Sequence, residues 1–145
     1  VSDKELREEW SRRFNLPDGT IINKASDAAD HLRQFYADAK DIEVFVIIYL
    51  TTKNSVLGTE VLFTGTVNTA AIYPREVVKR ILLEHPGTAG VVISHNHPSG
   101  ALEPSSSDKT ITNKLKVALE SIDISLLDHL ILGQDFYSFA ENKLL

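Results

Sequence analysis

Eight residues limit this chain more than any others: Glu43-Val44-Phe45-Val46-Ile47-Ile48-Tyr49-Leu50. Successive side chains on a strand point to opposite faces. Here both faces are apolar, so the strand reads as a central one, covered on both sides in a layered fold. Ala89-Gly90-Val91-Val92-Ile93 is a second buried run. Val56 to Gly65 returns antiparallel to the first run across the turn Thr52-Lys53-Asn54-Ser55. Ser125 to Leu132 reads as a further strand, and Phe136-Tyr137-Ser138-Phe139 as another across the Gly133-Gln134-Asp135 turn.

Helical spacing fills the intervals. Ser26 reads as an N-cap, followed by a stripe of Ala28, Ala29, Leu32, Phe35, Tyr36 and Ala39. Pro74 suits a helix start, and Val77, Val78, Ile81 and Leu82 form the predicted buried stripe after it. Glu84-His85-Pro86-Gly87 stops that helix. Ile111, Leu115, Ala118, Leu119 and Ile122 mark a third helix from about Ser107 to Ser121. Strands alternating with helices predict an α/β domain with a mixed sheet.

At 145 residues the chain is one domain, long enough to bury a single core. Leu6, Trp10 and Phe14 fall at helical spacing among charges, and Leu16-Pro17-Asp18-Gly19 reads as a turn. Residues 1–20 are therefore an N-terminal helical extension, and 21–145 the main domain. Trp10 is expected to pack on the core. Val1 is not an initiator methionine, as in a trimmed chain or a fragment. The sequence shows no signal peptide, no membrane-spanning apolar run and no lipidation motif, so a cytoplasmic location is expected. A net charge of −5 weighs against nucleic acid as the main partner.

The chemistry sits after the second buried run, in Ser94-His95-Asn96-His97-Pro98-Ser99-Gly100-Ala101-Leu102-Glu103-Pro104-Ser105-Ser106-Ser107-Asp108. His95 and His97 are two apart, so on a strand both imidazoles face one side. With a nearby carboxylate they make three ligands and leave a fourth position for water, the open arrangement of a catalytic zinc site. The absence of cysteine excludes a thiolate-rich structural site. Nitrogen and oxygen donors favour zinc, with nickel, cobalt, iron or manganese possible in its place. Ser105-x-x-Asp108 also has the form of a helix capping box, and one carboxylate can both cap and ligate.

His95-x-His97, seven residues, Ser105, two residues, Asp108 resembles the JAMM motif of the MPN domain metallopeptidases. Phe63-Thr64-Gly65-Thr66-Val67-Asn68, Tyr73-Pro74-Arg75-Glu76, His95-Asn96-His97-Pro98-Ser99-Gly100 and Leu127-Asp128-His129-Leu130-Ile131-Leu132-Gly133 are similar to one branch, the RadC-like proteins of bacteria. The likeness runs from about Thr20 to the C-terminus. It implies a single-domain, three-layer α/β/α fold with a mixed β-sheet, of the cytidine-deaminase-like (JAMM/MPN) type. It also implies a zinc hydrolase, a metallopeptidase or isopeptidase acting on a peptide or protein, with one zinc ion per chain on His95, His97 and Asp108. Larger family members carry a helix-hairpin-helix region upstream, which residues 1 to 20 do not match.

The JAMM pattern includes an upstream glutamate, which matches Glu43 as general base. Glu60 is the rival, and Glu43 is preferred because a hairpin edge suits buried proton transfer poorly. Glu43 opens its strand whereas the histidines follow the end of theirs. They meet only if the Glu43 and Val91 strands are antiparallel neighbours. Ser105 is expected to donate to the oxyanion on the scissile carbonyl. His129 is either a partner of a metal-ligating group or a satisfied core or edge histidine. His31 reads as a surface residue, His85 as a helix-dipole partner and Arg75 as a salt-bridge residue. The loop from Gly100 to Pro104 and the segment after Thr66 are expected to shape the cleft. A zinc deaminase would need His-x-Glu and Pro-Cys-x-x-Cys, and the chain has neither. The alternatives left are a non-catalytic MPN-type interaction module and a DNA-repair-associated protein.

Overall fold

The computed structural model describes residues 2, 19–37, 41–65 and 72–145. The N-terminal helix with Leu6, Trp10 and Phe14 falls outside them, as do Ala39, the segment after Thr66 and the Phe35 side chain. The described elements are α1 (Ala25–Ala37), β1 (Glu43–Leu50), β2 (Val56–Gly65), α2 (Pro74–Glu84), β3 (Gly90–Asn96), α3 (Ser106–Glu120), β4 (Ser125–Leu132) and β5 (Phe136–Ser138). No described helix is long and apolar enough to cross a membrane.

The strands form one mixed five-stranded sheet in the order β2-β1-β3-β4-β5. β1 pairs antiparallel with β2 and with β3, β3 runs parallel to β4, and β5 returns antiparallel on β4. β1 and β3 thus lie inside the sheet, which is why neither shows a polar face. The even residues Val44, Val46, Ile48 and Leu50 pack with Ala28, Ala29 and Leu32 of α1. The odd residues Phe45, Ile47 and Tyr49 join Val91 and Ile93 against Val77, Ile81, Ile111, Leu115 and Leu119 of α2 and α3. Helix, sheet and helix layers therefore stack as the α/β/α expectation has them.

Two local expectations are corrected. Leu82 is 57% exposed, whereas Val77 and Ile81 are buried. One residue is about 100° around a helix, so Leu82 turns away from the sheet that Ile81 faces. Ser26 is not the cap of α1, which already begins at Ala25. The Asn23 N–H instead donates to the Asp27 carboxylate, 3.0 Å away, within the first turn.

Two side chains tie the sheet together where the chain leaves it. Asn96 ends β3, and its amide reaches across to β1. Its Oδ1 accepts from Val44 N at 2.7 Å and its Nδ2 donates to Ile42 O at 2.9 Å. The amide thus takes the place of a strand residue and fixes the backbone on both sides of Glu43. Asp128 on β4 accepts from His129 N at 2.7 Å and Ala140 N at 3.0 Å through Oδ1, and from the Ser138 hydroxyl at 2.6 Å through Oδ2. Burial raises its carboxyl above the usual value, and the Ser138, Ala140, His129 and Phe139 donors offset only part of that rise.

Asn96→Leu strands a buried N–H and a carbonyl at the start of β1 and is expected to cost about 1–3 kcal/mol in urea unfolding. Asn96→Asp should cost at least as much, since its second oxygen would face the Ile42 carbonyl. For Asp128 the folded chain holds the proton more tightly than the unfolded chain. This group's contribution is complete below its ordinary value of 3.8 and is lost as pH rises through its folded value. Asp128→Asn removes that titration, so urea midpoints of the variant should fall less than those of wild type as pH rises from the ordinary carboxyl value of 3.8 toward neutrality.

Candidate metal centre

The antiparallel β1–β3 pairing places Phe45 opposite His95. Continuing the register by two residues brings Glu43 level with His97, the neighbour relation that the sequence required. Glu43, half-buried, lines a cleft of about 610 Å³ together with Gly65, His97, Pro98 and Ser99. A second cleft of about 790 Å³ lies on the other side of the His97-Pro98-Ser99 turn, against Arg33, Tyr36 and Gly133. Gly100 lines this second cleft; of the predicted loop, it is the residue that does so.

The strand runs further than the apolar residues alone indicate. β3 continues through His95 to Asn96, because His95 is covered: its ring lies parallel to Phe45, centroids 5.7 Å apart. His97 follows directly, and its N–H extends the β4 ladder by donating to Leu132 O at 3.0 Å. The chain then turns, with Gly100 N donating to His97 O at 2.8 Å. Gly100 has φ of 84°, in the left-handed region that favours glycine. This turn returns the Ala101 carbonyl to His97 Nδ1, 2.8 Å away. A carbonyl only accepts, so Nδ1 carries the proton and Nε2 presents its lone pair.

Asp108 completes the group from the first turn of α3. The capping box is formed: Ser105 Oγ accepts from Asp108 N at 3.0 Å, and Asp108 Oδ2 accepts from Ser105 N at 2.9 Å. The same carboxylate turns toward the histidines, with Oδ1 3.5 Å from His95 Nε2 and Oδ2 3.7 Å from His97 Nε2. The two imidazole Nε2 atoms are 2.9 Å apart. His95, His97 and Asp108 thus form a group able to hold a metal ion, their donor atoms all within 4.8 Å of one another. Donors about 2.0–2.2 Å from a tetrahedral ion stand about 3.3–3.6 Å apart. The Oδ1–His95 distance of 3.5 Å falls in this range, the Oδ2–His97 distance of 3.7 Å lies just above it, and the imidazole pair at 2.9 Å needs to open by about 0.4–0.7 Å.

Burial works against ionisation of Asp108, but the neighbouring His95 ring and the Ser105 N–H and hydroxyl outweigh it. Together they hold the carboxyl well below the usual carboxylate range. Behind His95 lies His129, fully buried, with its Nε2 2.8 Å from His95 Nδ1. Burial above all pushes the His129 imidazole well below its ordinary value. Both readings of His129 therefore hold at once: it is a satisfied core residue and the partner of a predicted ligand. Thr112, which the sequence reading missed, contacts His129 in turn. Its signal was its position four residues after Asp108, one helical turn along the same face.

The rival carboxylate sits elsewhere. Glu60 pairs with Ile47 on β1, is 7% exposed, and its Oε1 meets His85 Nε2. His85 also stacks on Tyr49, centroids 4.0 Å apart, so its ring serves a carboxylate rather than the helix end. Glu60, Glu84 and His85 form a second close group with its own internal contact, separate from His95, His97 and Asp108. Arg75 lies over the Tyr73 ring, 5.2 Å from its centroid.

Residues 22–144 match the RadC-like JAB domain. A UPF0758 protein of Pseudoalteromonas translucida is 51% identical over 104 residues, covering 71% of this chain and 46% of that protein. A UPF0758 protein of Nitrosospira multiformis is 47% identical over 129 residues, covering 84% of this chain and 57% of its own length. One from Shewanella loihica is 44% identical over 137 residues, with coverages of 92% and 60%. The chain spans about half the length of the curated relatives it matches. A matched region that takes in the whole described sheet, Glu43 and the His-His-Asp group places this chain in the RadC-like branch of the JAB/MPN domain family.

Proposed function

We propose that this domain is a zinc-dependent hydrolase of amide bonds, a metallopeptidase or isopeptidase acting on a peptide or protein segment in the cytoplasm. One observation carries the reading: His95, His97 and Asp108 converge beside a cleft that Glu43 also lines. The donor set is two neutral imidazoles and one carboxylate, which suits zinc with a position left for water. When bound, zinc would polarise the scissile carbonyl and lower the pKa of a water at the site to near neutrality.

The chain's own residues supply the remaining steps. Glu43 is not among the ligands; its carboxylate accepts a proton from the attacking water and returns it to the leaving nitrogen. Asn96 holds the backbone on both sides of Glu43, which limits where that carboxylate can go. Ser105 Oγ accepts from Asp108 N, and its hydroxyl proton turns from the Asp108 carboxylate to the carbonyl oxygen as negative charge develops there. The substrate lies along the cleft between Glu43 and the His97-Pro98-Ser99 turn.

The test combines metal analysis with turnover of a peptide and isopeptide panel. Wild type should hold one zinc ion per chain and lose activity to a chelator, with zinc restoring it. Glu43→Gln should keep the zinc and lose about 10²–10⁴-fold in kcat. His95→Ala and His97→Ala should lose both zinc and turnover. Ser105→Ala should keep the zinc and lose about 10²–10³-fold in kcat, with helix stability reduced by only about 1 kcal/mol. A Glu43→Gln protein that cleaves as fast as wild type would move the base to another residue. Purified wild type that takes up no metal would leave the interaction module as the better reading.

A further inference from the structure

We propose that Thr112 and His129 are positioning residues that fix the proton on His95 Nδ1, so that Nε2 presents its lone pair to the centre. This rests on the reading of His95, His97 and Asp108 as a metal centre. It assigns a role to two residues outside the ligand set.

The order of protons follows from one end of a hydrogen-bonded chain. Thr112 Oγ1 lies 2.6 Å from the backbone carbonyl of Asp108. A carbonyl oxygen has no proton to give, so the single Thr112 hydroxyl proton is committed there. Thr112 Oγ1 is also 2.6 Å from His129 Nδ1. With its proton already used, the hydroxyl can only accept, and Nδ1 must be the protonated nitrogen of His129. A neutral imidazole carries one N–H. His129 Nε2 is therefore bare, and it accepts from His95 Nδ1 at 2.8 Å. His95 is left with an unprotonated Nε2, the atom that faces His97 Nε2 and the Asp108 carboxylate.

The surroundings of His129 keep it neutral and still. It is fully buried, its ring stacks on Phe139 at 4.5 Å, and Phe45 approaches edge-on with centroids 5.7 Å apart. Rotation of the ring would break contacts at both nitrogens and against both aromatic faces. The chain also closes on itself, because the residue whose carbonyl sets the first proton is the one whose carboxylate enters the group. His97 reaches the same state by the shorter route through Ala101 O. The two imidazoles thus arrive with matched tautomers, as donation to a single cation requires.

The consequence is a metal affinity that depends on groups with no contact to the metal. Zinc affinity would be measured by competition with a chromophoric chelator. His129→Phe removes the acceptor for His95 Nδ1 while keeping a flat ring between Phe45 and Phe139. It should weaken zinc binding about 10–100-fold, with the melting temperature of the metal-free protein unchanged or raised. Thr112→Val, which acts from one residue further away, should weaken zinc binding in the same direction. Thr112→Ser restores the hydroxyl and should return affinity to within a few fold of wild type (roughly the scatter between conservative variants). Long-range proton–nitrogen NMR reads the tautomers directly: His129 should show its proton on Nδ1 and a bare Nε2.

Zinc binding by His129→Phe and Thr112→Val as tight as wild type would overturn the proposal, as would a His129 proton on Nε2. A wild-type protein that binds no zinc would instead remove the metal-centre reading. The NMR measurement on metal-free protein would still decide the proton order in that case.

Discussion

The antiparallel pairing of β1 with β3 is the constraint on which the site depends. It brings the first residue of one buried strand to the last residues of another, at one end of the sheet. A parallel pairing of the same two strands would have placed Glu43 and His97 at opposite ends. β3 then runs parallel to β4, and α3 joins them, so His95, His97 and Asp108 gather where such strands deliver their carboxyl ends. Asp108 comes from the start of the connecting helix and His129 from the neighbouring strand. Every component therefore lies on, or directly beside, a regular element, where positions are set by backbone hydrogen bonds and by packing on both faces.

Much of this was legible in the sequence. The buried character of β1 and β3 followed from apolar residues at both parities, and the structure shows why: each has a helix layer on either side. The neighbour relation of Glu43 and the histidines followed from chain direction once the family resemblance had made Glu43 the candidate base. The dual reading of Asp108 was open too, since a carboxylate has two oxygens and can address two partners. The choice of Glu43 over Glu60 was harder to justify from residues. Glu60 proved to be buried, not set in solvent at a hairpin edge, and what separates it from the ligand group is its own partner His85.

What escaped the sequence was long-range pairing of short side chains. Thr112 looks like an ordinary helix threonine until β4 places His129 against it. Asn96 stands between two histidines but points to the other face, and its contact is with the backbone of a strand some fifty residues earlier. Neither has a periodicity to betray it. Leu82 failed for the opposite reason: helical spacing gave an apolar stripe wider than the face α2 buries.

The capping box is made entirely from atoms of Ser105 and Asp108, and that separates scaffold from chemistry. Ser105 and Asp108 satisfy each other's N–H groups whether or not the carboxylate has anything else to hold. The first turn of α3 is therefore self-supporting. A descendant of this chain can exchange its histidines and still inherit an intact framework, so the fold can outlive whatever chemistry those side chains carry.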